Sequence, residues 1–215
     1  MIDLHTHTLL SDGALLPSEL ARRAEVIGYK VMAFTDHVDH SNLGHVVPNI
    51  LKVCEVINAR GALRVIPGVE ITHVSPEGFG ELVAQARALG ARIVVAHGET
   101  LVEPVAPGTN RAAIEAGVDI LAHPGLISED EVEMAAKRGV FLEITTRKGH
   151  SLSNGHVARL AMKLKAGLVI NTDTHDPQDL VERSMAQRIL RGAGLTPDAV
   201  RTVFKNSEAL VQRLK

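Results

Sequence analysis

Seven times along the chain a short run rich in β-branched residues is followed by a longer amphipathic stretch, and this alternation limits the fold more than any other feature. Repeated strand–helix units bury their apolar strands in a parallel sheet covered by helices. The strand candidates are Ile2–His5, Val31–Thr35, Arg64–Ile71, Arg92–Ala96, Asp119–Ala122, Val140–Ile144 and Leu168–Asn171. The helix candidates are Pro17–Ile27, Val46–Arg60, Glu77–Leu89, Asn110–Ala116, Glu129–Lys137, Gly155–Lys165 and Asp179–Arg191, with one or two more between Pro197 and Leu214. Gly28, Gly61, Gly90, Gly117, Gly139 and Gly167 follow six of them, where a left-handed residue stops a helix. With 2% aromatic residues and no Trp, the core must be packed with Val, Ile, Leu and Ala, which suits strands buried on both faces. The expected fold is an α/β barrel related to the eight-stranded βα barrel; an open doubly wound sheet is the alternative that the pattern leaves standing.

The 215 residues are expected to form one domain over 1–215, with no long linker and no close internal repeat. A formal charge of −2 without runs of like charge gives no electrostatic footprint for long nucleic acid or an acidic membrane. No stretch approaches the roughly 18 apolar residues of a membrane span, and the N-terminus lacks a basic segment followed by a long apolar run. The expected location is the cytoplasm, and the expected partner is a small molecule. Cys54, within an apolar helix pattern, is expected to be a buried free thiol.

The 11 histidines ask for an explanation other than packing. His5 and His7 end the first strand, Asp36 and His37 the second, Glu70 the third, His97 the fourth, His123 the fifth, and Asp173 with His175 the last. In a βα barrel all strand C-termini lie on one face, so these residues converge. His5-Thr6-His7 alternates, and both imidazoles can project to one side. Glu70 sits in the apolar run Gly68-Val69-Glu70-Ile71, where an unpaired charge is costly; a buried salt bridge is the competing account. His97 and His123 repeat one design, an apolar strand, then His, then Gly or Pro-Gly. Asp12, before Gly13, reads by itself equally well as a turn residue. Six His, two Asp and one Glu suit Zn²⁺, Mn²⁺ or Fe²⁺ better than Ca²⁺, and nine donors are too many for one ion.

In this order, spanning residues 5 to 175, the motifs His-x-His, a nearby Asp, Asp-His, Gly-x-Glu-Ile, two isolated strand-end His and Asp-x-His resemble those of the polymerase-and-histidinol-phosphatase (PHP) superfamily of metal-dependent phosphoesterases. The resemblance implies a distorted seven-stranded βα barrel of TIM-barrel type holding two to three divalent transition-metal ions. It implies one ion on His5, His7, Glu70 and Asp173, a second on Glu70 as a bridge with His97 and His123, and a third on Asp12, His37 and His175. Glu70, Asp173 and His175 are the candidate catalytic residues. Cations a few ångströms apart lower the pKa of a shared water and neutralise phosphoryl oxygens, so the implied reaction is attack of a metal-activated hydroxide on a small phosphate monoester.

Arg147 and Lys148, in the loop after the sixth strand, are candidate phosphate ligands. Pro107–Arg111 could present helix N–H groups to an anion, although capping alone accounts for Thr109 and Asn110. The Glu99–Gly108 connection is a candidate substrate loop. His40, His45, His73 and His156 fall off the strand-end pattern and read as surface or supporting residues, and Glu143 is given no role. Competing functions are a nucleotide phosphodiesterase or exonuclease, an amidohydrolase, whose bridging lysine would stand where this chain has His97, and a metal-binding module without turnover.

Overall fold

A computed structural model describes residues 1–214. The apolar runs pair side by side, all parallel. The strands are β1 (Ile2–Asp3), β2 (Val31–Phe34), β3 (His37–Val38), β4 (Arg64–Ile71), β5 (Ile93–His97), β6 (Ile120–Ala122), β7 (Phe141–Thr145) and β8 (Leu168–Asn171). Their order is β1-β2-β4-β5-β6-β7-β8, with the two-residue β3 continuing the line of β2 beside β4. A parallel bridge between Thr6 and Thr174 brings the two ends together, supported by His7 N–H donating to the Thr174 carbonyl and Asp173 N–H to that of His5. The result is a nearly closed barrel of seven parallel strands, the βα-barrel alternative of the two the sequence allows.

Helices α1 (Pro17–Val26), α2 (Leu43–Asn58), α3 (Phe79–Leu89), α4 (Thr109–Ala116), α5 (Glu129–Arg138), α6 (Asn154–Leu164), α7 (Arg183–Gly192) and α8 (Pro197–Arg213) follow the strands. Local chemistry fixes several ends. Pro17 and Pro197 stand in the first turns of α1 and α8, and Ser128 with Glu131 forms a reciprocal cap on α5. Four of the six glycines proposed as helix stops are left-handed. Gly167 is not: Lys165 takes that conformation, and Gly167 is small because a Cβ there would meet the Phe141 ring at 2.6 Å. Gly61 is not either, since α2 ends earlier, at Asn58. The last helix but one begins at Arg183 rather than Asp179, because the Asp179 carboxylate is engaged by the backbone N–H groups of His175 and Asp176.

Two apolar layers result. One, outside the strands, packs Phe34, Val94, Leu121, Leu142 and Ile170 against helix residues such as Ile50, Leu82 and Val132, and buries Cys54. The other fills the barrel with Leu4, Ala33, Ile66, Ile93, Val95, Ile120, Ala122 and Val169, together with Leu210 and Val211 of α8. No helix among the described residues is long and apolar enough to cross a membrane.

Candidate metal centre

Strand alternation aims the polar residues. Ile93 and Val95 lie in the interior layer while Val94 and Ala96 lie in the outer one, so the next inward position is His97. On β4 the same rule carries Ile66 inward, then Gly68, then Glu70. A Cβ on Gly68 would lie 2.4 Å from Ile93 Cγ2 and 2.7 Å from its carbonyl oxygen, which is why the residue below Glu70 has no side chain. Glu70 is fully buried, as are His5 and His7, while His123, Asp173 and His97 are within a few per cent of it.

Five of these residues form a connected cluster, while His97 packs its ring 4.5 Å from that of His123 and turns Nε2 to Glu103 rather than to Glu70. Glu70 Oε1 lies 3.3 Å from His5 Nε2 and 3.6 Å from His123 Nε2. Its Oε2 lies 3.6 Å from His7 Nε2 and 2.8 Å from His37 Nδ1. Asp173 Oδ1 faces His5 at 3.7 Å and His7 at 3.2 Å, and its Oδ2 faces His123 at 3.7 Å. His5, Glu70, His7 and Asp173 thus close a ring of alternating nitrogen and oxygen donors. Asp12 Oδ1, His37 Nε2 and His175 Nε2 make a triangle with sides of 3.5, 3.2 and 3.3 Å. Asp36 supports that triangle from outside it, since its carboxylate accepts from Thr8 N–H, Thr8 Oγ1 and Ser11 Oγ and so fixes the turn that carries Asp12.

The chemistry of the cluster fits divalent cations. Seven buried side-chain polar atoms among the described residues lack a partner in hydrogen-bonding geometry, and six belong here: His5 Nε2, both nitrogens of His7, both oxygens of Glu70 and His123 Nδ1. Such groups are costly to bury unless something else satisfies them. Ions with bonds near 2.1 Å place neighbouring ligand atoms about 3.0–3.4 Å apart, close to the separations seen. Without an ion, burial opposes charge on every group, yet Glu70, Glu143 and Asp173 raise the His5 pKa well above its usual value. Burial lifts Asp173 to about 7. Burial would raise Glu70 too, but His5 and His37 hold it well below the usual carboxylate range. A cation entering this set therefore displaces protons.

Four further residues reach the cluster. Glu143, fully buried on the inward face of β7, accepts from Asn171 Nδ2 at 2.8 Å and sits 2.9 Å from His5 Nδ1. That contact leaves His5 Nε2 facing Glu70 and Asp173, the arrangement by which a carboxylate fixes the tautomer of a metal-binding imidazole. His150 lies against His123 with ring centroids 4.2 Å apart, and Glu103 with His73 borders His97. Glu103 stands in the Glu99–Gly108 connection, and with His73 and His150 it lines a cavity of about 380 Å³ over the cluster. Arg147 lines the same cavity: its Nη1 donates to the Asp173 carbonyl at 3.0 Å, and its Nε is 3.6 Å from Asp173 Oδ2. Lys148 is exposed and outside that lining. The start of α4 is taken by an anion from the chain itself, because Gly108 and Asn110 N–H both donate to Glu99 Oε1. His40, His45 and His156 stay outside the cavity lining.

Glu143→Ala removes the group that orients His5. Affinity for Zn²⁺, measured by chelator competition, is expected to fall about 10- to 100-fold, with Glu143→Gln intermediate; equal affinities in all three proteins would remove Glu143 from the centre.

A nearly closed parallel barrel with imidazoles and carboxylates gathered at its strand C-termini places potential metal ligands where βα barrels carry their active sites. Residues 3–97 match the PHP domain, a span that runs from the first strand to His97. An uncharacterized protein of Methanocaldococcus jannaschii is 42% identical over 215 residues, covering 99% of both chains. A protein of Shewanella sp. strain ANA-3 named probable phosphatase is 32% identical over 203 residues, covering 81% of this chain and 76% of its own. A chain of archaeal ribonuclease P, seen with mature tRNA, superimposes with a TM-score of 0.76 at 19% identity, covering 100% of this chain and 91% of that one, a likeness of fold. The chain belongs to the PHP superfamily.

Proposed function

We propose that this protein is a metal-dependent phosphomonoesterase that acts on a small phosphorylated metabolite and holds two to three Zn²⁺, Mn²⁺ or Fe²⁺ ions. The observation that carries the reading is the set of buried, unpartnered polar atoms on His5, His7, Glu70 and His123, beside a cavity that His123 and Asp173 line. His5, His7, Glu70 and Asp173 would hold one ion, His97 and His123 with Glu70 a second, and Asp12, His37 and His175 a third. When bound, such ions supply positive charge that neutralises phosphoryl oxygens and acidifies water.

The chain's own residues supply placement. Glu143 keeps the His5 ring turned toward Glu70 and Asp173. Asp173 and His175 stand at the cavity wall, where they face a substrate phosphate as well as the ions. Arg147 presents a guanidinium beside them and is the side chain suited to grip two phosphate oxygens. The cavity volume matches the lower end of small-molecule sites, which favours a metabolite over a nucleic-acid strand, and the probable-phosphatase relative supports phosphate ester hydrolysis.

The test is a screen of phosphorylated metabolites against protein loaded separately with Mn²⁺, Zn²⁺ or Fe²⁺. Phosphate release that stops on chelation and returns with metal is the expected result. Hydrolysis of amides or lactones together with no turnover of any phosphate ester would replace this reading with the amidohydrolase one.

A further inference from the structure

Beyond the nine strand-end residues, a second set of donors meets on one carboxylate. Glu103 Oε2 lies 3.0 Å from His97 Nε2 and 3.2 Å from His73 Nε2, and Glu103 Oε1 lies 3.3 Å from His150 Nε2. We propose that His73, His97 and Glu103 form a further divalent transition-metal site at the edge of the cavity, with His150 facing the other Glu103 oxygen.

Three observations carry it. The first is the orientation of the imidazoles. His97 Nδ1 is occupied by the Gly98 carbonyl at 3.1 Å and His150 Nδ1 by Thr100 Oγ1 at 2.7 Å. With both Nδ1 atoms engaged, His97 and His150 each turn Nε2 toward the Glu103 carboxylate, so the ring atoms aimed at it are the ones free to bind an ion. The second is spacing: four-coordinate zinc with bonds of 2.0–2.1 Å sets its ligand atoms about 3.3 Å apart, near the separations found. The third is the backbone. Four non-glycine residues among those described have positive φ, and three of them are His123, Asp173 and His73, the last at +53°. Left-handed backbone outside glycine costs free energy and gathers at functional sites. His73 therefore shares the conformational signature of two cluster residues while lying outside their strand-end pattern.

Mixed nitrogen and oxygen donors select Zn²⁺, Mn²⁺, Fe²⁺ or Co²⁺ over Ca²⁺. His97 has only one lone pair to give. An ion on the outer set therefore takes His97 away from Glu70 and His123, so the outer set is an alternative shell for the ion that His97 binds. Exposure of His73 and Glu103, at 41% and 38% of their side chains, places this shell on the solvent side.

The inference rests on the proposed metal-dependent reading only through His97, and the experiment separates the two. Equilibrium dialysis against Co²⁺, with metal analysis and visible absorption, is applied to wild type, Glu70→Gln and a triple variant that adds His73→Asn and Glu103→Gln. Asn tolerates the left-handed backbone at position 73. Glu70→Gln should lower the Co²⁺ content but retain an ion on the outer set. The triple variant should bind one fewer Co²⁺ per chain than Glu70→Gln and lose the corresponding absorption. Equal Co²⁺ content and spectra in these two proteins overturn the outer site; undiminished content in Glu70→Gln overturns the inner one instead. If the triple variant fails to fold, as judged by circular dichroism, the double variant Glu70→Gln/Glu103→Gln decides: it binds one fewer Co²⁺ per chain than Glu70→Gln, or the proposal is wrong.

Discussion

Glu70→Gln should lower turnover by at least about a hundredfold, the scale set by loss of one preorganised electrostatic contact in a buried site, and should lower metal content with it. The side chain keeps its volume, so the barrel has no reason to repack. What changes is charge and donor count. Each Glu70 oxygen faces two imidazoles, Oε1 those of His5 and His123, Oε2 those of His7 and His37. An amide replaces one oxygen by an NH₂ group, which has no lone pair for an ion. Glu70 therefore stands between the first two proposed ion positions and also touches Nδ1 of His37, whose Nε2 faces the third. Metal analysis and kinetics on the same preparation check the prediction, and near-wild-type values for both would show that Glu70 does not bridge ions.

The strand–helix alternation was legible because each strand run is flanked by an amphipathic helix, so the two separate by length and period; closure into a barrel rests on contacts between the first and last strands, which no local pattern carries. The strand-end histidines were legible for a related reason: a polar residue that terminates an apolar run is conspicuous, and parallel topology sends every such end to the same face. The same signal existed for Glu143, a carboxylate within Phe141-Leu142-Glu143-Ile144 just as Glu70 lies within its apolar run. Its purpose became visible only with its partner, His5, which is 138 residues away in sequence. Glu103, His73 and His150 carry no such mark. They arrive from loops, which have no periodicity, and their convergence depends on the path of the Glu99–Gly108 connection across the cavity. At the helix start at Thr109 the capping alternative holds over the anion site, with Glu99, a residue no local signal marks for this role, accepting from the Gly108 and Asn110 N–H groups.

Arg147→Ala separates substrate grip from metal holding, and the structure sharpens what it should do. The guanidinium lines the cavity, contacts the Asp173 carbonyl through Nη1 and lies 3.4 Å from Asp179 Oδ2. With 28% of its side chain exposed it is neither locked in the core nor free in solvent. Asp179 and the Asp173 carbonyl hold Nη1 of the guanidinium, which restrains the group at the cavity wall before any phosphate arrives. Loss of a charge-assisted contact costs about 1.5–3 kcal/mol, or roughly ten- to more than a hundredfold in kcat/KM. Metal content should be unchanged, because the guanidinium touches Asp173 without supplying a donor to the ions, and competitive inhibition by inorganic phosphate should weaken in parallel with kcat/KM. Arg147→Lys should recover part of the loss, since an ammonium restores charge but not the planar fork. A variant that loses metal while phosphate inhibition of its loaded fraction stays normal would make Arg147 a support for Asp173. Unchanged kinetics on the true substrate would leave the ions as the phosphate's principal contacts.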